Sequence, residues 1–265
     1  MQFTTTLKWI SRTMLGMMSL LATSPAWADP AYRLTPARVD FTPSGEGATQ
    51  SFQVISTGDA PVAVELHMTG REVSVDGIET QPDAENDFLV YPSQLLLQPG
   101  EAQTVRVTWL GDPSPDHELA YRIISEQLPI DMPQANVPTP TALTVDIKAI
   151  FRYVGSVYIL PPDAKPSVTL TSVTHQNAGG QDQLVLDFKN QGTAHQILKG
   201  LTLTIAPTGA DGQPQSQGTI HLTSNQLEGV EGENILAGQE RRFVIPYPAG
   251  LPIGPLTGSF ELETQ

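Results

Sequence analysis

The chain has 265 residues, with 14 Lys and Arg against 28 Asp and Glu, a formal net charge of −14. So acidic a surface repels phosphate backbones, which argues against a nucleic-acid partner. No cysteine is present, which excludes disulfides and thiolate metal sites as sources of stability.

The chain opens with Lys8 and Arg12 ahead of an apolar run from Met14 to Ala22. Ala26-Trp27-Ala28 then offers small residues at the two positions a signal peptidase reads. Residues 1–28 are expected to be a cleaved secretory signal. A membrane anchor needs about 20 apolar residues, and Ser19, Thr23, Ser24 and Pro25 interrupt this stretch. No stable membrane insertion is expected after cleavage, and the exported chain must rest on buried cores.

Beyond the leader, the 22 glycines and 23 prolines recur between short alternating segments, the spacing of antiparallel sandwiches. Strands are expected at "SFQVIS" (51–56), "VAVELHM" (62–68), "DFLVYP" (87–92), "TVRVTWL" (104–110) and "YRIISEQ" (121–127). No segment reads as an amphipathic helix. A proline-rich stretch, "LPIDMPQANVPTPTA" (128–142), follows and reads as a loop.

"LTVDIKAIFRYVGSVYI" (143–159) comes next. Every odd position is apolar or small, while Thr144, Asp146, Lys148, Arg152 and Ser156 fall on the even side, so the period is two and a strand is expected. At about 3.3 Å per residue it would reach roughly 56 Å, about three times the usual strand. Leu143, Val145 and Ile147 make an apolar row running out of a loop, an exposed edge that a soluble protein avoids unless a partner covers it. Lys148 and Arg152 share the even face about 13 Å apart, beside Ile150 and Val154, and cations among apolar neighbours seek a fixed anion.

"PPDAKP" (161–166) is a stiff, hydrated connection and the expected domain boundary. Strand-and-turn segments resume at "LVLDFKNQG" (184–192), "GLTLTIAP" (200–207), "RRFVIPY" (241–247) and "GSFELET" (258–264). Two internal echoes appear in the same order. "SFQVISTG" (51–58) resembles "LVLDFKNQG", and "LLQPGEAQTVRV" (96–107) resembles "NILAGQERRFVI" (234–245). The expected fold is all-β, two sandwiches of one design covering 29–160 and 161–265 on either side of a short Pro-rich hinge.

The usual chemical signatures are missing. No G-x-S-x-G string occurs, and "GEGATQ" (45–50) opens no helix. His67, His117, His175, His195 and His221 are scattered without ligand spacing. Glu228, Glu231 and Glu233 lie in a glycine-rich loop that reads as solvated rather than calcium-binding. No catalytic residue, metal site or cofactor is expected.

The stretches "LTPARVDF" (34–41), "FLVYPSQLLLQPGEAQTVRVTW" (88–109), "AYRIISEQLPI" (120–130), "FRYVGSVYILPP" (151–162) and "FKNQGTAHQIL" (188–198) stand out in combination. Together they resemble the periplasmic chaperones of chaperone/usher pilus assembly, a PapD-like group of two immunoglobulin-like domains, in a divergent or archaic branch. The resemblance implies a periplasmic, non-enzymatic protein whose partners are pilus or fimbrial subunits and an outer-membrane usher. It implies that the long strand fills the gap in an incomplete subunit, with Leu143, Val145 and Ile147 entering its groove. It also implies two basic residues that hold the subunit's terminal carboxylate. Arg38 in "PARVDF" matches the first. For the second, matching "IKAIFR" to the best-known branch points to Lys148, whereas matching "FRYVGSVYI" to divergent branches points to Arg152. Arg122 in "AYR" is a further candidate. The rival expectation is an exported two-domain immunoglobulin-like protein that binds a glycan or other ligand through its loops.

Overall fold

A computed structural model describes residues 31–129 and 149–263. Its first part contains β1 (Tyr32–Thr35), β2 (Arg38–Phe41), β3 (Thr49–Ser56), β4 (Val62–Gly70), β5 (Glu72–Val73), β6 (Glu79–Thr80), β7 (Phe88–Tyr91), β8 (Gln94–Leu97), β9 (Ala102–Trp109), β10 (Leu119–Gln127) and β11 (Arg152–Ile159). The second part contains β12 (Val168–Ala178), β13 (Gln181–Asn190), β14 (Gln196–Ile197), β15 (Thr202–Pro207), β16 (Ile220–Leu222), β17 (Asn234–Ile235), β18 (Glu240–Pro246) and β19 (Leu256–Glu261). Among the described residues the only helical turns are three short 3-10 segments. Among the described residues no helix is long and apolar enough to cross a membrane.

Two sheets form the first sandwich, one ordered β1-β3-β9-β7 and the other β2-β11-β10-β4-β8. Alternation along β3, β9 and β11 turns Phe52, Val54, Val105, Val107, Val157 and Ile159 inward, each fully removed from solvent. Burying one such side chain stabilises by about 1.5–3 kcal/mol, so this layer carries the fold. The second sandwich packs the sheet β12-β13-β18 against β16-β15-β19 over Leu184, Leu186, Phe188, Leu203 and Ile205. It is an all-β, two-sandwich architecture, as expected.

Both sequence echoes have structural counterparts. β3 pairs antiparallel with β9 in the first sandwich, and β13 pairs antiparallel with β18 in the second. Each second strand leaves a turn with a glycine at positive φ, Gly100 at 75° and Gly238 at 72°, a conformation costly for any residue with a Cβ. The matching backbone bonds run from Glu101 N–H to the Gln98 carbonyl and from Gln239 N–H to the Leu236 carbonyl.

The strand expected over 143–159 begins, within the described residues, at Arg152. Ala149, Ile150 and Phe151 precede it without strand structure, and 143–148 lie outside the described residues. Just before Arg152 the Gln127 N–H donates to the Phe151 carbonyl at 2.9 Å, and the Phe151 N–H donates to the Gln127 side-chain oxygen at 3.3 Å. Tyr32, buried at the sandwich corner, donates its hydroxyl to the Ser125 carbonyl at 2.9 Å, and burial pushes that hydroxyl up to about 12.

Residues 160–167 carry the chain from β11 to β12 without regular structure and dock on the second sandwich. The buried Asn190 organises that docking. Its Oδ1 accepts the N–H groups of Ser167 and Gly192, and its Nδ2 donates to the carbonyls of Ala194, Ile235 and Leu236. The Lys165 carbonyl passes so near Gly192 that a Cβ there would lie 2.3 Å from it.

Candidate functional site

The outer face of the β2-β11-β10-β4-β8 sheet gathers most of the sequence-predicted cations. β2 runs parallel to β11 with Arg38 opposite Ser156, while β10 runs antiparallel to β11 with Arg122 opposite the same serine. Neighbouring strands lie about 4.8 Å apart, so two arginines distant in the chain flank one serine on one face. Gly155 permits the approach of β2. A Cβ there would meet Ile123 at 2.7 Å and the Ala37 carbonyl at 3.3 Å, and that carbonyl accepts the Ser156 N–H at 2.8 Å.

Glu79, on the hairpin β5–β6, is the hub of this face. Its carboxylate accepts from Arg122 through Nε at 2.8 Å and Nη2 at 2.5 Å, from Arg71 Nε at 2.9 Å, and from Gln81 Nε2 at 3.0 Å. Burial alone would raise the Glu79 carboxyl, but the hydrogen bonds from Arg122, Gln81 and Arg71 outweigh it and hold the group at about 2. Arg122 also donates through Nη1 to Ser156 Oγ. Arg71 donates through Nη1 to the Tyr158 hydroxyl at 3.0 Å.

The network extends to the two other described candidates. Arg38 sits over the Tyr158 ring with its guanidinium carbon 5.0 Å from the centroid, and pairs with Asp40 through Nε and Nη2 at 3.2 Å each. Arg152 donates to Glu126 at 2.7 Å and, through Nη2, to the Gln81 side-chain oxygen at 3.2 Å. Arg38, Arg122 and Arg152 thus join one set of contacts, through Tyr158 and Arg71 on one side and Gln81 on the other. Lys148, Leu143, Val145 and Ile147 lie outside the described residues.

Exposure separates the arginines. The side chain of Arg38 is 43% exposed and that of Arg152 46%, whereas those of Arg122 and Arg71 retain only 16% and 11%. Arg38, Arg71, Arg122 and Arg152 meet the carboxylates of Asp40, Glu65, Glu79 and Glu126 on this face, so it is balanced in charge within an otherwise acidic chain. The half-exposed Arg38 and Arg152 are the guanidiniums an incoming anion reaches first, and a guanidinium fork suits a carboxylate best.

Tyr158 also closes the face against the second sandwich. Its ring stacks on His195 at 4.2 Å and 13°, and its hydroxyl accepts from Asn234 Nδ2 at 2.8 Å. His195 Nδ1 donates to the buried Glu118 carboxylate at 2.7 Å, and the Glu118 N–H meets the Thr193 carbonyl. The cation face therefore opens at the junction of the two sandwiches.

Residues 32–152 match the family described as pili and flagellar-assembly chaperone, PapD N-terminal domain. Over these residues the chain is similar to a PapD N-terminal domain. No curated protein matches the sequence. Among solved structures, the class 5 fimbriae chaperone CfaA is 14% identical to this PapD-like chain with a TM-score of 0.53, covering 89% of this chain and 100% of its own. A chain from the CsuC–CsuE chaperone–tip adhesion subunit complex of archaic Csu pili of Acinetobacter baumannii is 15% identical with a TM-score of 0.52, covering 86% and 97%. A chain from the Salmonella enterica SafA pilin–SafB chaperone complex is 16% identical with a TM-score of 0.50, covering 83% and 86%. At these identities the likeness is one of fold.

Sequence reading passed over Arg71, Glu79, Gln81 and Tyr158. The hairpin that carries Glu79 had a signal of its own: Asp76-Gly77 between two short Glu-containing segments, a favoured hairpin turn. Nothing in the sequence singled out Glu79 among so many acids.

Proposed function

We propose that this PapD-like chain is a periplasmic chaperone that binds pilus or fimbrial subunits by donating a β-strand and delivers them to an outer-membrane usher. In this reading residues 1–28 are removed on export, 29–160 form the immunoglobulin-like domain that engages the subunit, and 161–265 form the second. Arg38 and Arg122 hold the subunit's terminal carboxylate above Ser156. Arg152 reinforces the site through Gln81, and Lys148 is the alternative second cation. Leu143, Val145 and Ile147 enter the subunit's groove, where main-chain hydrogen bonds supply affinity and the apolar knobs set the register.

One observation carries the proposal. β11, which holds Ser156 between Arg38 of β2 and Arg122 of β10, follows in the chain a few residues after the alternating apolar segment 143–147. A carboxylate fixed at the junction of the sandwiches would therefore set where pairing along that segment begins. No catalytic step is needed. The test is co-expression with a small β-rich pilus subunit in the periplasm, where a stable one-to-one complex is expected. A subunit that aggregates or is degraded regardless of this chain overturns the proposal.

A further inference from the structure

We infer that Glu79 is a built-in competitor that occupies the Arg122 fork in the free protein and is displaced by the incoming subunit carboxylate. The inference rests on the carboxylate-binding role proposed above and adds the residue that controls it.

Three features single out Glu79. First, its carboxylate makes with Arg122 the paired-oxygen contact that a chain-terminal carboxylate would make, using the Nε and Nη2 positions. That leaves Nη1, already bonded to Ser156, as the nitrogen of Arg122 turned toward Arg38's strand. A subunit carboxylate can gain the full fork only if Glu79 leaves it.

Second, Glu79 does not belong to the five-stranded sheet that supplies the cations. It lies on the hairpin β5–β6, whose pairs Glu72–Thr80 and Val73–Glu79 are continued at the base by the Thr69–Asp83 bridge and at the turn by the Ser74 N–H on the Ile78 carbonyl. A two-stranded ribbon outside any larger sheet is marginal by itself, and the arm's side-chain contacts hold it in place. Third, those contacts bridge the junction. Glu79, in the ladder pair nearest the turn, binds Arg71 and Arg122 of the first sandwich, and in the turn just beyond it the Val75 carbonyl accepts the Arg242 N–H of β18 at 2.7 Å. Gly77 lies against Arg241, since a Cβ there would stand 2.7 Å from its Nη2. Release of Glu79 therefore frees the arm's hold on the first sandwich while its turn stays on the second.

Competition by a tethered carboxylate has a functional consequence. It lowers the affinity of the cation site for stray anions and peptides, while a subunit that also forms main-chain pairs along the donated strand overcomes it. Specificity then comes from requiring both contacts at once.

The experiment uses the mature chain and a short peptide of alternating valine and threonine, prepared with a free carboxyl terminus and as its amide. Wild type is expected to prefer the free acid. Glu79→Gln is expected to bind the free acid about tenfold more tightly and the amide unchanged, the size of one charge-assisted hydrogen-bond pair lost by a competitor. Free acid and amide binding wild type equally would sink the carboxylate reading itself. A clear preference in wild type that Glu79→Gln leaves unchanged or weakens would overturn only the competitor role and make Glu79 a positioning residue for Arg122.

A second measurement keeps Glu79 in place. The chain has no cysteine, so Ile78→Cys, at a position 68% exposed on the hairpin, takes a single environment-sensitive fluorophore. Its emission is expected to shift on adding the free acid and to stay constant with the amide. An unchanged signal while the free acid binds shows the arm in place and overturns displacement.

Discussion

Arg38 of β2 and Arg122 of β10 stand on opposite sides of Ser156, each one strand away, in register across the sheet. Their Cα atoms are therefore about 10 Å apart, within the span that two extended guanidiniums can close on a single carboxylate. Their surroundings differ, and this separates their contributions to binding and to stability.

Arg38→Ala and Arg122→Ala are both expected to abolish recovery of a co-expressed subunit, because each removes one side of the carboxylate site. They should differ in the free protein. Arg38 is exposed, and its pair with Asp40 and its place over Tyr158 are together worth about 1 kcal/mol or less. Removing Arg122 leaves the partly buried Glu79 with Arg71 as its only guanidinium and costs about 1–3 kcal/mol. Urea unfolding of the two variants beside subunit recovery checks this, and undiminished recovery with either variant counts against the site.

Glu79 also dictates an acid limb. Its carboxyl is held at about 2 in the folded chain against an ordinary 4.5. The unfolded state therefore binds the proton first, and the stabilisation from this group is complete above about pH 4.5 and disappears as pH falls toward 2. Glu79→Gln is expected to flatten the dependence of the urea midpoint on pH across that window while leaving its slope above pH 5 as in wild type. A parallel acid limb in the variant would show that other carboxylates carry it.

Asn190 makes a third prediction, on the second sandwich. It is fully buried and satisfies five backbone groups, including the Ser167 N–H where the connection enters β12. Asn190→Ala leaves several of these groups without partners, each at about 1–3 kcal/mol, so the loss exceeds that of any exposed polar residue of β13. Hydrogen exchange should show lost protection across β13, β14 and β17 with β3 and β9 unchanged. Uniform loss across both sandwiches would mean that the two unfold as one unit.

How much of this was legible beforehand follows from what each element buries. β3, β4, β9, β10, β13, β15 and β18 alternate apolar and polar residues against a core, and the sequence pattern alone locates them. β12 escaped notice because Thr169, Thr171, Thr174, His175, Gln176 and Asn177 hide its alternation, and only Val173 among its residues is deeply buried. The site divides the same way. Arg38 and Arg122 were found through a resemblance carried by local strings, and Arg152 also through its place on the even face of the period-two segment. Their convergence depends on the parallel pairing of β2 with β11, a non-local fact that no local pattern encodes. Glu79 depends on the same convergence and had no string to mark it.

The last prediction concerns Val145 and Ile147, which the proposed function places in the subunit's groove. Replacing both by aspartate puts two charges where the subunit's core must close, and each buried, unpaired carboxylate costs more than a donated strand of that length can recover. The variant is expected to leave the unfolding free energy of the free protein, from urea titration, within about 0.5 kcal/mol of wild type, because the proposed role reserves these side chains for the partner. The co-expressed subunit should aggregate beside it. Pairing this variant with Arg122→Ala then distinguishes two roles. If the carboxylate site sets where pairing begins and the apolar row completes it, either change alone abolishes the complex. A soluble subunit in the Val145→Asp, Ile147→Asp background would mean that the cation face binds without strand donation.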